Sequence, residues 1–523
     1  MPGTLLRCGA ALVAAMLFAT PAGARLLRHA SQVDPGTMDP HAIATLYNNR
    51  VLSQVYEPLV DRDEQFRPGP RLALSWTPLE GGAGWRFKLR PNVKFHDGTP
   101  FGAEDVVFNV KRAMDPLSAM KATLPNVSGA RKVDALTVDI LTTQPTPILP
   151  LAMINLRLMS KAWCEKHRVE RPQDFKAKEE TYATRNANGT GPYRLKRWDT
   201  DVTTVLVASP DYWGKRGNVT EAHFLVVASA ATRVAGLISG DIDIVVDPAV
   251  QDVVRLRGQA GIHVGEATGL GAQFLGFHHG RAEIGAGAKG NPFKDARVRQ
   301  AVRAAIDTKA LQTKVMRGTA EIGRAIYTSA VDGFDQRFKV PHAFDPARAK
   351  ALLAQAGYRD GFAVDLDCSQ QQPTDAICQA IAGMLSRVGI RVTYRPLPFN
   401  VLLPKILSGD TAMYVIGWTP ATGEPEGALI SLVHSRSKPG VGEYNFGAYS
   451  NPKVDAAIDQ GRMEFDPAKR AARFTEAMLA IDAEAGFIPL IYRNITWAMR
   501  RNVQAVVRPN DVMDLRMVNV GAP

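Results

Sequence analysis

Cysteine is scarce in this sequence, and long hydrophobic runs are confined to its N-terminus. Only four of the 523 residues are Cys. After the first two dozen residues no stretch contains eighteen uninterrupted apolar residues, so the sequence predicts no membrane-spanning helix. Cys164, Cys368 and Cys378 form no Cys-x-x-Cys pair and no Cys/His set at zinc spacing, which argues against a structural metal site. The spacing of Cys368 and Cys378 leaves open whether they form a disulfide.

The sequence also lacks the short motifs of common enzyme classes. GxxxxGK[ST], HExxH and GxSxG are all absent, and no pair of carboxylates points to acid–base catalysis. The sequence therefore predicts a protein that is not an enzyme, with no catalytic residues, no metal ligands and no cofactor.

Basic residues are in excess but are not clustered. Lys and Arg number 63 against 51 Asp and Glu, which gives a formal net charge of +12. The longest basic runs are pairs, such as Lys111-Arg112. Nucleic-acid-binding proteins more often gather their charge into a stripe or tail, so we expect a solvated basic surface and no nucleic-acid partner.

The N-terminus has the three parts of a secretory signal peptide. A short segment with one basic residue, Arg7, is followed by an apolar stretch over 8–19 and by the small-x-small sequence Ala22-Gly23-Ala24. We expect cleavage after Ala24, so that residues 1–24 are removed. Cys8 precedes the apolar stretch, which predicts no lipid anchor, and the expected location is the periplasm.

Strand-like and helix-like patterns alternate along the rest of the chain, which is typical of α/β proteins. Residues 85–89 alternate as a strand, and apolar positions over 103–114 predict a helix preceded by Gly102. An N-cap residue before a proline predicts three further helix starts, at Asp345-Pro346, Asn451-Pro452 and Asp466-Pro467.

Two further patterns give helices in the second half of the chain. Residues 375–388 predict a helix that leads through Gly389 into a strand beginning at Ile390. Residues 295–311 predict one amphipathic helix, with the arginines at 297, 299 and 303 facing water.

Four segments combine aromatic residues with amides, histidines or glycines: 46–49, 274–279, 414–419 and 444–446. Each segment taken alone indicates ordinary packing, but together they suit a small-molecule site. The adjacent His278 and His279 would point to opposite faces of a strand, so they would not chelate one ion together. We expect one of them to be buried, and the functional interpretation is that one lines a ligand cleft.

Ten segments in order along the chain carry a recognisable pattern. They are 56–60 (YEPLV), 90–116 (RPNVKFHDGTPFGAEDVVFNVKRAMDP), 189–193 (GTGPY), 209–215 (SPDYWGK), 231–245, 291–307, 344–362, 385–394, 407–418 and 449–461. Together they resemble the peptide/nickel class of extracellular solute-binding proteins (family 5), which are exported receptors of ABC importers.

The resemblance implies a two-lobe α/β fold around a cleft, like that of periplasmic binding proteins, with an additional domain on the first lobe. The first lobe would comprise 25–60, 190–275 and 495–523, the extra domain 61–189, and the second lobe 276–494. The chain would cross between lobes near Leu275-Gly276 and near Tyr492–Asn494. Two crossings make a hinge, so the lobes would close around a ligand.

The resemblance also implies partners. We expect a monomer that captures a peptide or similar small solute and delivers it to a permease and ATPase complex in the inner membrane. Two alternatives stay open: a secreted hydrolase of small peptides or glycosides, and a periplasmic chaperone or signalling receptor with the same fold.

In dipeptide-binding members an aspartate after a Gly-Trp pair holds the peptide amine, and an arginine before a helix holds the carboxylate. Here Ala421 or Thr422 stands near the first place, and 368–373 contains no arginine. We therefore expect simple dipeptides to bind more weakly than ligands that bury no terminal carboxylate. The predicted ligand-binding residues are Tyr47, Asn48, His278, Trp418, Thr419, Glu424, Tyr444 and Asn445.

Overall fold

The computed structural model describes residues 25–124, 126–284, 290–437 and 440–521, so the predicted signal peptide lies outside the described residues. The strands are β1 (Leu26–Ser31), β2 (Val60–Arg62), β3 (Pro68–Pro70), β4 (Ala73–Pro78), β5 (Gly84–Leu89), β6 (Val127–Asp134), β7 (Thr137–Thr142), β8 (Tyr193–Asp199), β9 (Thr203–Ala208), β10 (Glu221–Val226), β11 (Ile244–Val246), β12 (Ile262–Phe277), β13 (Ala320–Glu321), β14 (Phe362–Ser369), β15 (Ile390–Leu397), β16 (Met413–Trp418), β17 (Ile488–Arg500), β18 (Val503–Gln504) and β19 (Asn519–Val520).

The α-helices lie between these strands. They are α1 (Leu46–Val55), α2 (Ala103–Ala113), α3 (Leu149–Ala152), α4 (Lys161–Lys166), α5 (Tyr182–Arg185), α6 (Ala230–Ser239), α7 (Val250–Arg257), α8 (Ala296–Ala305), α9 (Thr308–Ala310), α10 (Pro346–Gln355), α11 (Thr374–Ser386), α12 (Phe399–Leu407), α13 (Pro425–Ala428), α14 (Pro452–Met463) and α15 (Pro467–Ala483). In the described part of the chain, none of the helices combines the length and the apolar character needed to span a membrane.

One large mixed sheet runs through the protein, which confirms the predicted α/β class. It has 11 strands in the order β15-β14-β16-β12-β17-β11-β1-β10-β9-β8, with β13 attached to β17. The pairs β1–β10, β1–β11, β14–β15 and β14–β16 are parallel, whereas β12 pairs antiparallel with both β16 and β17. The two long strands β12 and β17 therefore connect the two ends of the sheet.

The pairing of β12 with β17 is interrupted in the middle of both strands. Residues up to Thr268 pair with β17, and pairing resumes at Ala272. A Cβ on Gly269 would lie 2.7 Å from the Arg493 carbonyl oxygen and would clash with the backbone, and one on Gly271 would lie 2.8 Å from Thr419 Oγ1 and would displace that side chain. This break lies upstream of the predicted crossing at 275–276, because β12 pairs continuously with β16 from Ala272 to its end.

A second, four-stranded antiparallel sheet lies apart from the large one, in the order β4-β5-β7-β6. It packs with α2 around a core that includes Phe87, Val106, Val110 and Ile140. The sheet falls within the range 61–189 that the sequence assigns to an extra domain, and the exact boundaries of the lobes and of this domain stay predictions.

The local patterns that predicted helix starts are confirmed. Asp345, Asn451 and Asp466 each accept hydrogen bonds from backbone N–H groups in the first turn of α10, α14 and α15. Gly102 precedes α2, where its N–H donates to Asp105 at 3.0 Å. The strands predicted over 85–89 and from Ile390 correspond to β5 and β15.

The predicted helix over 295–311 is wrong in two respects. It ends at Ala305, because Ile306 is extended and Asp307 accepts from the N–H of Ala310 to begin a new turn. Arg299 does not face water, because it is 5% exposed and donates to the carbonyl oxygens of Phe293 at 2.7 Å and Glu484 at 3.2 Å. Arg303 does not face water either: it is half-buried and donates to the carbonyl oxygen of Asp482.

The question about the cysteines is also settled. Cys368, at the end of β14, forms a disulfide with Cys378 in α11, and Cys164 is a buried free thiol. The disulfide ties the start of α11 to the strand that precedes it.

Candidate functional site

A cavity of about 1510 Å³ lies between the two halves of the large sheet, and residues within 120–157 also border it. Its wall draws on residues within 32–71, 120–157, 247–253, 269–273, 314–319, 372–376, 417–423 and 493–516. The interrupted segments of β12 and β17 therefore form part of this wall. No His or Cys occurs among the lining residues, although the wall carries many charged side chains.

Three of the predicted ligand-binding residues line the cavity: Tyr47, Trp418 and Thr419. Trp418 ends β16, and its ring packs on Tyr444 at a centroid distance of 5.3 Å. The indole Nε1 is shielded from solvent and has no hydrogen-bond partner among the described residues. A buried donor without a partner is uncommon in folded proteins.

Tyr444 stands behind Trp418 and does not line the cavity. His278 lies elsewhere too: it follows β12, and its Nδ1 accepts from the N–H groups of Gly280 and Arg281. Its neighbour His279 is also away from the cavity, and burial lowers the pKa of that imidazole to about 3. Both histidines thus serve the local structure.

Asn48 and Asn445 are buried and bonded to backbone, and neither lines the cavity. Asn48 donates from Nδ2 to the Thr37 carbonyl oxygen at 3.0 Å. Asn445 donates to the carbonyl oxygen of Tyr449 at 2.7 Å and accepts from its N–H at 2.9 Å. Their amide groups are used in holding loops, which is why their place beside aromatic residues misled the sequence interpretation.

Glu424 also lies outside the wall, within a buried set of charges that we call the loop group: Glu424, Glu426, Arg462 and Arg470. Glu424 pairs with Arg470, and Glu426 lies 3.5 Å from Arg462. Burial raises the pKa of both glutamates, that of Glu426 to about 7, and the arginines only partly offset this effect.

A second set of charges lies in the cavity wall, and we call it the floor group: the buried Asp514 and Arg508 and the half-buried Asp61 and Arg516. Arg516 bridges both carboxylates, at 2.6 Å from Asp61 and 2.5 Å from Asp514, and Arg508 lies 3.4 Å from Asp514. Burial alone would raise the pKa of each carboxyl, but the two guanidinium groups outweigh it and hold both pKa values below their usual range.

The turn between β2 and β3 reaches the opposite side of the cavity. Arg62 pairs with Asp332 at 3.0 Å and donates to the Thr422 carbonyl oxygen at 2.6 Å. Phe66 is 7% exposed and joins the hydrophobic core that contains Phe274 and Tyr327. The hydrogen bond of Arg62 thus connects the end of β2 to the loop that follows β16.

Another pair of carboxylates, Asp247 and Asp511, lines the wall around Arg50. Arg50 Nη2 lies 3.0 Å from Asp247 and 2.5 Å from Asp511, and the Trp497 indole donates to Asp511 at 2.7 Å. Burial raises the pKa of Asp511 to about 7, and the neighbouring Asp247 adds to this shift. Asp247 keeps 43% of its side chain exposed towards the open space.

Four cations in the wall have no ion-pair partner within the described ranges: Arg157, Lys314, Arg317 and Arg493. Lys314, Arg317 and Arg493 are exposed. They are neighbours in the fold, because Thr319 accepts from the Asn494 N–H and Ala320 pairs with Arg493. The segment 368–373 contains no cation, as the sequence shows, and the cations of the wall come from other segments.

A profile of the bacterial extracellular solute-binding proteins, family 5 (middle region), matches residues 67–440. The chain is a family 5 solute-binding protein.

Curated relatives of this family 5 protein cover most of its length. Heme-binding protein A of Haemophilus influenzae is 27% identical over 480 residues, which span 85% of this chain and 82% of that protein. The dipeptide-binding protein of Escherichia coli K12 is 25% identical over 96% of both chains. The resemblance to family 5 is thus confirmed, and family 5 proteins of this kind are the substrate-binding components of ABC importers.

Solved structures show the same two-lobe fold. HbpA2 from Haemophilus parasuis has a TM-score of 0.82 at 24% identity, covering 95% of this chain and all of that chain. The DppA periplasmic binding protein of Helicobacter pylori, in complex with the peptide STSA, has a TM-score of 0.73 at 21% identity and covers 95% and 98% of the two chains.

Sequence reasoning missed the charged residues of the wall. Arg157 lies in a loop between two fully or nearly fully buried leucines, Leu156 and Leu158. An arginine between two leucines (156–158) in a mostly apolar stretch was a usable signal, since arginine is rarely buried unless it is paired. Asp61, Asp514 and Arg508 gave no local signal, because residues distant in sequence meet there.

Proposed function

We propose that this protein is a periplasmic receptor that captures a peptide or peptide-like solute in the 1510 Å³ cavity and passes it to a membrane permease and ATPase. The observation that carries the proposal is the position of the cavity in a family 5 protein, between sheet halves connected by β12 and β17. Small-molecule pockets usually measure about 300–1,000 Å³, so this cavity has room for a solute larger than an ordinary metabolite.

The composition of the wall supports a polar, peptide-like solute. Aromatic groups such as Tyr47 and Trp418 alternate with arginines and carboxylates along it. Such a mixture suits a ligand with an amide backbone and charged ends. Relatives named for a dipeptide and for glutathione agree with this class, and a relative named for heme widens it.

Closure of the two lobes would enclose the solute. Over 269–271, β12 contains two glycines and is not paired with β17. A change in the backbone angles there therefore breaks few hydrogen bonds. Hinges in two-lobe proteins use a few such residues to absorb changes in backbone angles. We place the crossing between lobes at this break and at the facing residues 493–494.

Export completes the proposal. Residues 1–24 would direct the chain to the periplasm and be removed, and the mature protein would act as a monomer without a lipid anchor. The solute would leave chemically unchanged, because family 5 proteins bind solutes and pass them on.

The experiment is a capture assay that distinguishes binding from turnover. The mature protein is mixed with a defined pool of di- to pentapeptides and glutathione, bound masses are read by native mass spectrometry, and the free pool is followed over hours. We expect one solute per chain and unchanged masses. Multiple-turnover loss of any compound, or the absence of any bound mass, contradicts the proposal.

A further inference from the structure

Arg157 is half-buried, and it differs from the other arginines of the cavity wall that are not exposed (Arg62, Arg71, Arg508 and Arg516), because each of those four forms an ion pair with a described residue. It lies in the loop between α3 and α4, and its carbonyl oxygen accepts from His41 Nε2 at 2.9 Å, which fixes the backbone. Its Nε is fully buried and has no partner, and no described residue accepts from its guanidinium group or forms an ion pair with it. The side chain nonetheless borders the cavity.

The neighbouring charges are already matched. Arg508 and Arg516 share Asp61 and Asp514, and Arg62 pairs with Asp332. Arg71 likewise pairs with Glu57. Asp61 raises the pKa of Arg157 and Arg508 lowers it, but burial is the larger effect and lowers that pKa to about 10. The guanidinium group is thus still charged at neutral pH, and the wall has one positive charge in excess at this point.

A structural role for Arg157 has no contact to support it. No ring of the described residues lies under its guanidinium group, and its chain neighbours Leu156 and Leu158 are buried and apolar. An unpaired charge that is partly removed from water destabilises a folded protein, so a partner from outside is the simplest reason for its presence.

The position of Arg157 is favourable for a ligand contact. Two residues before it, Asn155 donates to the Ala421 carbonyl oxygen at 3.2 Å, across to the loop that follows β16. That loop, 419–423, contains no acidic side chain that could form an ion pair with Arg157. Closure would therefore bring a solute held by Trp418 and Thr419 next to Arg157.

We propose that Arg157 receives a carboxylate group of the solute, so that this receptor selects acidic peptide-like solutes over their neutral twins. This inference rests on the proposed function, because it requires a solute in the same cavity. A guanidinium group matches a carboxylate with two parallel hydrogen bonds, and the apolar neighbours of Arg157 strengthen that pair by excluding water. The exposed Lys314, Arg317 and Arg493 add positive potential but remain solvated.

The test uses pairs of tripeptides that differ only in Glu against Gln, together with glutathione and its glycine ethyl ester. The wild type should bind the acid of the best pair at least about tenfold more tightly than its neutral twin, the worth of one charge-assisted hydrogen bond. In Arg157→Gln that preference should fall to about threefold or less, and Arg157→Lys should recover part of it. Arg493→Gln, a matched cation in the same wall, should keep most of the preference.

Melting of the unliganded variants separates a binding role from a structural one. Arg157→Gln should melt at or slightly above the wild-type temperature, by on the order of 1–2 °C, because it removes an unpaired charge. Equal binding of acid and neutral twins by the wild type overturns the inference, and so does an unchanged preference in Arg157→Gln, whatever the melting temperature of that variant. Failure of the proposed function looks different: neither member of any pair is captured.

Discussion

The floor group and the loop group contain the same charges, two carboxylates and two arginines, yet their carboxyl groups titrate in opposite directions. In the floor group the pKa values of Asp61 and Asp514 are lowered. In the loop group the pKa values of Glu424 and Glu426 are raised. All four carboxyl groups are desolvated, so burial alone does not explain the difference.

Contact geometry explains it. Arg516 touches both carboxylates of the floor group, and Asp514 also accepts from the Arg516 N–H at 3.0 Å. In the loop group one oxygen of each glutamate, Glu424 Oε2 and Glu426 Oε2, is buried without a partner among the described residues. Equal numbers of opposite charges therefore do not ensure compensation, because each buried oxygen needs its own donor.

The largest effect is expected from removing one arginine of each group. Arg516→Met leaves Asp61 and Asp514 around one remaining guanidinium group, and it should lower the free energy of unfolding at pH 7 by about 3–5 kcal/mol. Arg470→Met should cost less, about 1–2 kcal/mol, because the already raised pKa of Glu424 lets that group take up a proton instead. Urea denaturation measures both values, and equal losses would remove the distinction between the groups.

The next effect is a pH dependence from Glu426. Its folded pKa of about 7 lies above the ordinary value of 4.5, so the folded state binds more protons than the unfolded state between these pH values. Stability from this group is complete below about pH 4.5 and is lost as the pH rises through 7. Glu426→Gln should therefore be more stable than the wild type at pH 8, by on the order of 2 kcal/mol.

The control for that experiment lies in the floor group. There the lowered pKa of Asp514 contributes stability that is present above the ordinary aspartate value and is lost as the pH falls below it. Glu426→Gln should leave this acid limb unchanged. A variant whose stability falls with rising pH just as the wild type does would show that Glu426 is not the titrating group.

Two tryptophans also differ in whether a buried polar group has a partner. The Nε1 of Trp418 has no described partner, whereas the Nε1 of the similarly buried Trp198 donates to Asp34 at 2.9 Å. Trp418→Ala should weaken solute binding by more than ~1 kcal/mol and shift melting of the empty protein by only a few degrees. Trp198→Ala, away from the cavity, should leave affinity unchanged. Calorimetry with the best solute of the capture assay measures this, and unfolding of empty Trp418→Ala would assign Trp418 to the core.

The smallest effect concerns the ion pair between Arg62, which lines the cavity, and Asp332, which does not. Asp332 is 34% exposed, so its ion pair with Arg62 is partly screened. Asp332→Asn should weaken solute binding by about threefold or less, because Arg62 keeps its bond to the Thr422 carbonyl oxygen. A tenfold or larger loss, measured by the same titration, would mean that this pair controls closure.

The sequence predicted local features well because they depend on local chemistry. The side chains of Asp345, Asn451 and Asp466 accept hydrogen bonds from first-turn N–H groups, so they mark the starts of helices. The alternation of polar and apolar residues in β5 reflects a strand with one face towards the core. The break after Ala305 was missed because the apolar spacing continues through Ile306 while the backbone turns extended.

The site was predicted only in part, since it joins residues far apart in sequence. Trp418 and Thr419 were found through their aromatic and polar neighbourhood, and they do line the cavity. The same reasoning chose Asn445, and the search for an acidic residue after the Gly-Trp pair chose Glu424, but the polar groups of both are used within the protein. Whether a polar residue has a partner depends on tertiary contacts, and this explains why the unpartnered Arg157 was not recognised.

The most direct measurement is a crystal structure of the protein with the tightest-binding acidic solute from the capture and twin-peptide assays. The solute should lie in the cavity beside Trp418, with a carboxylate about 2.7–2.9 Å from the guanidinium nitrogens of Arg157. A solute bound outside this cavity, or one whose carboxylates contact only Arg493 and leave Arg157 without a partner, would contradict this account of the site.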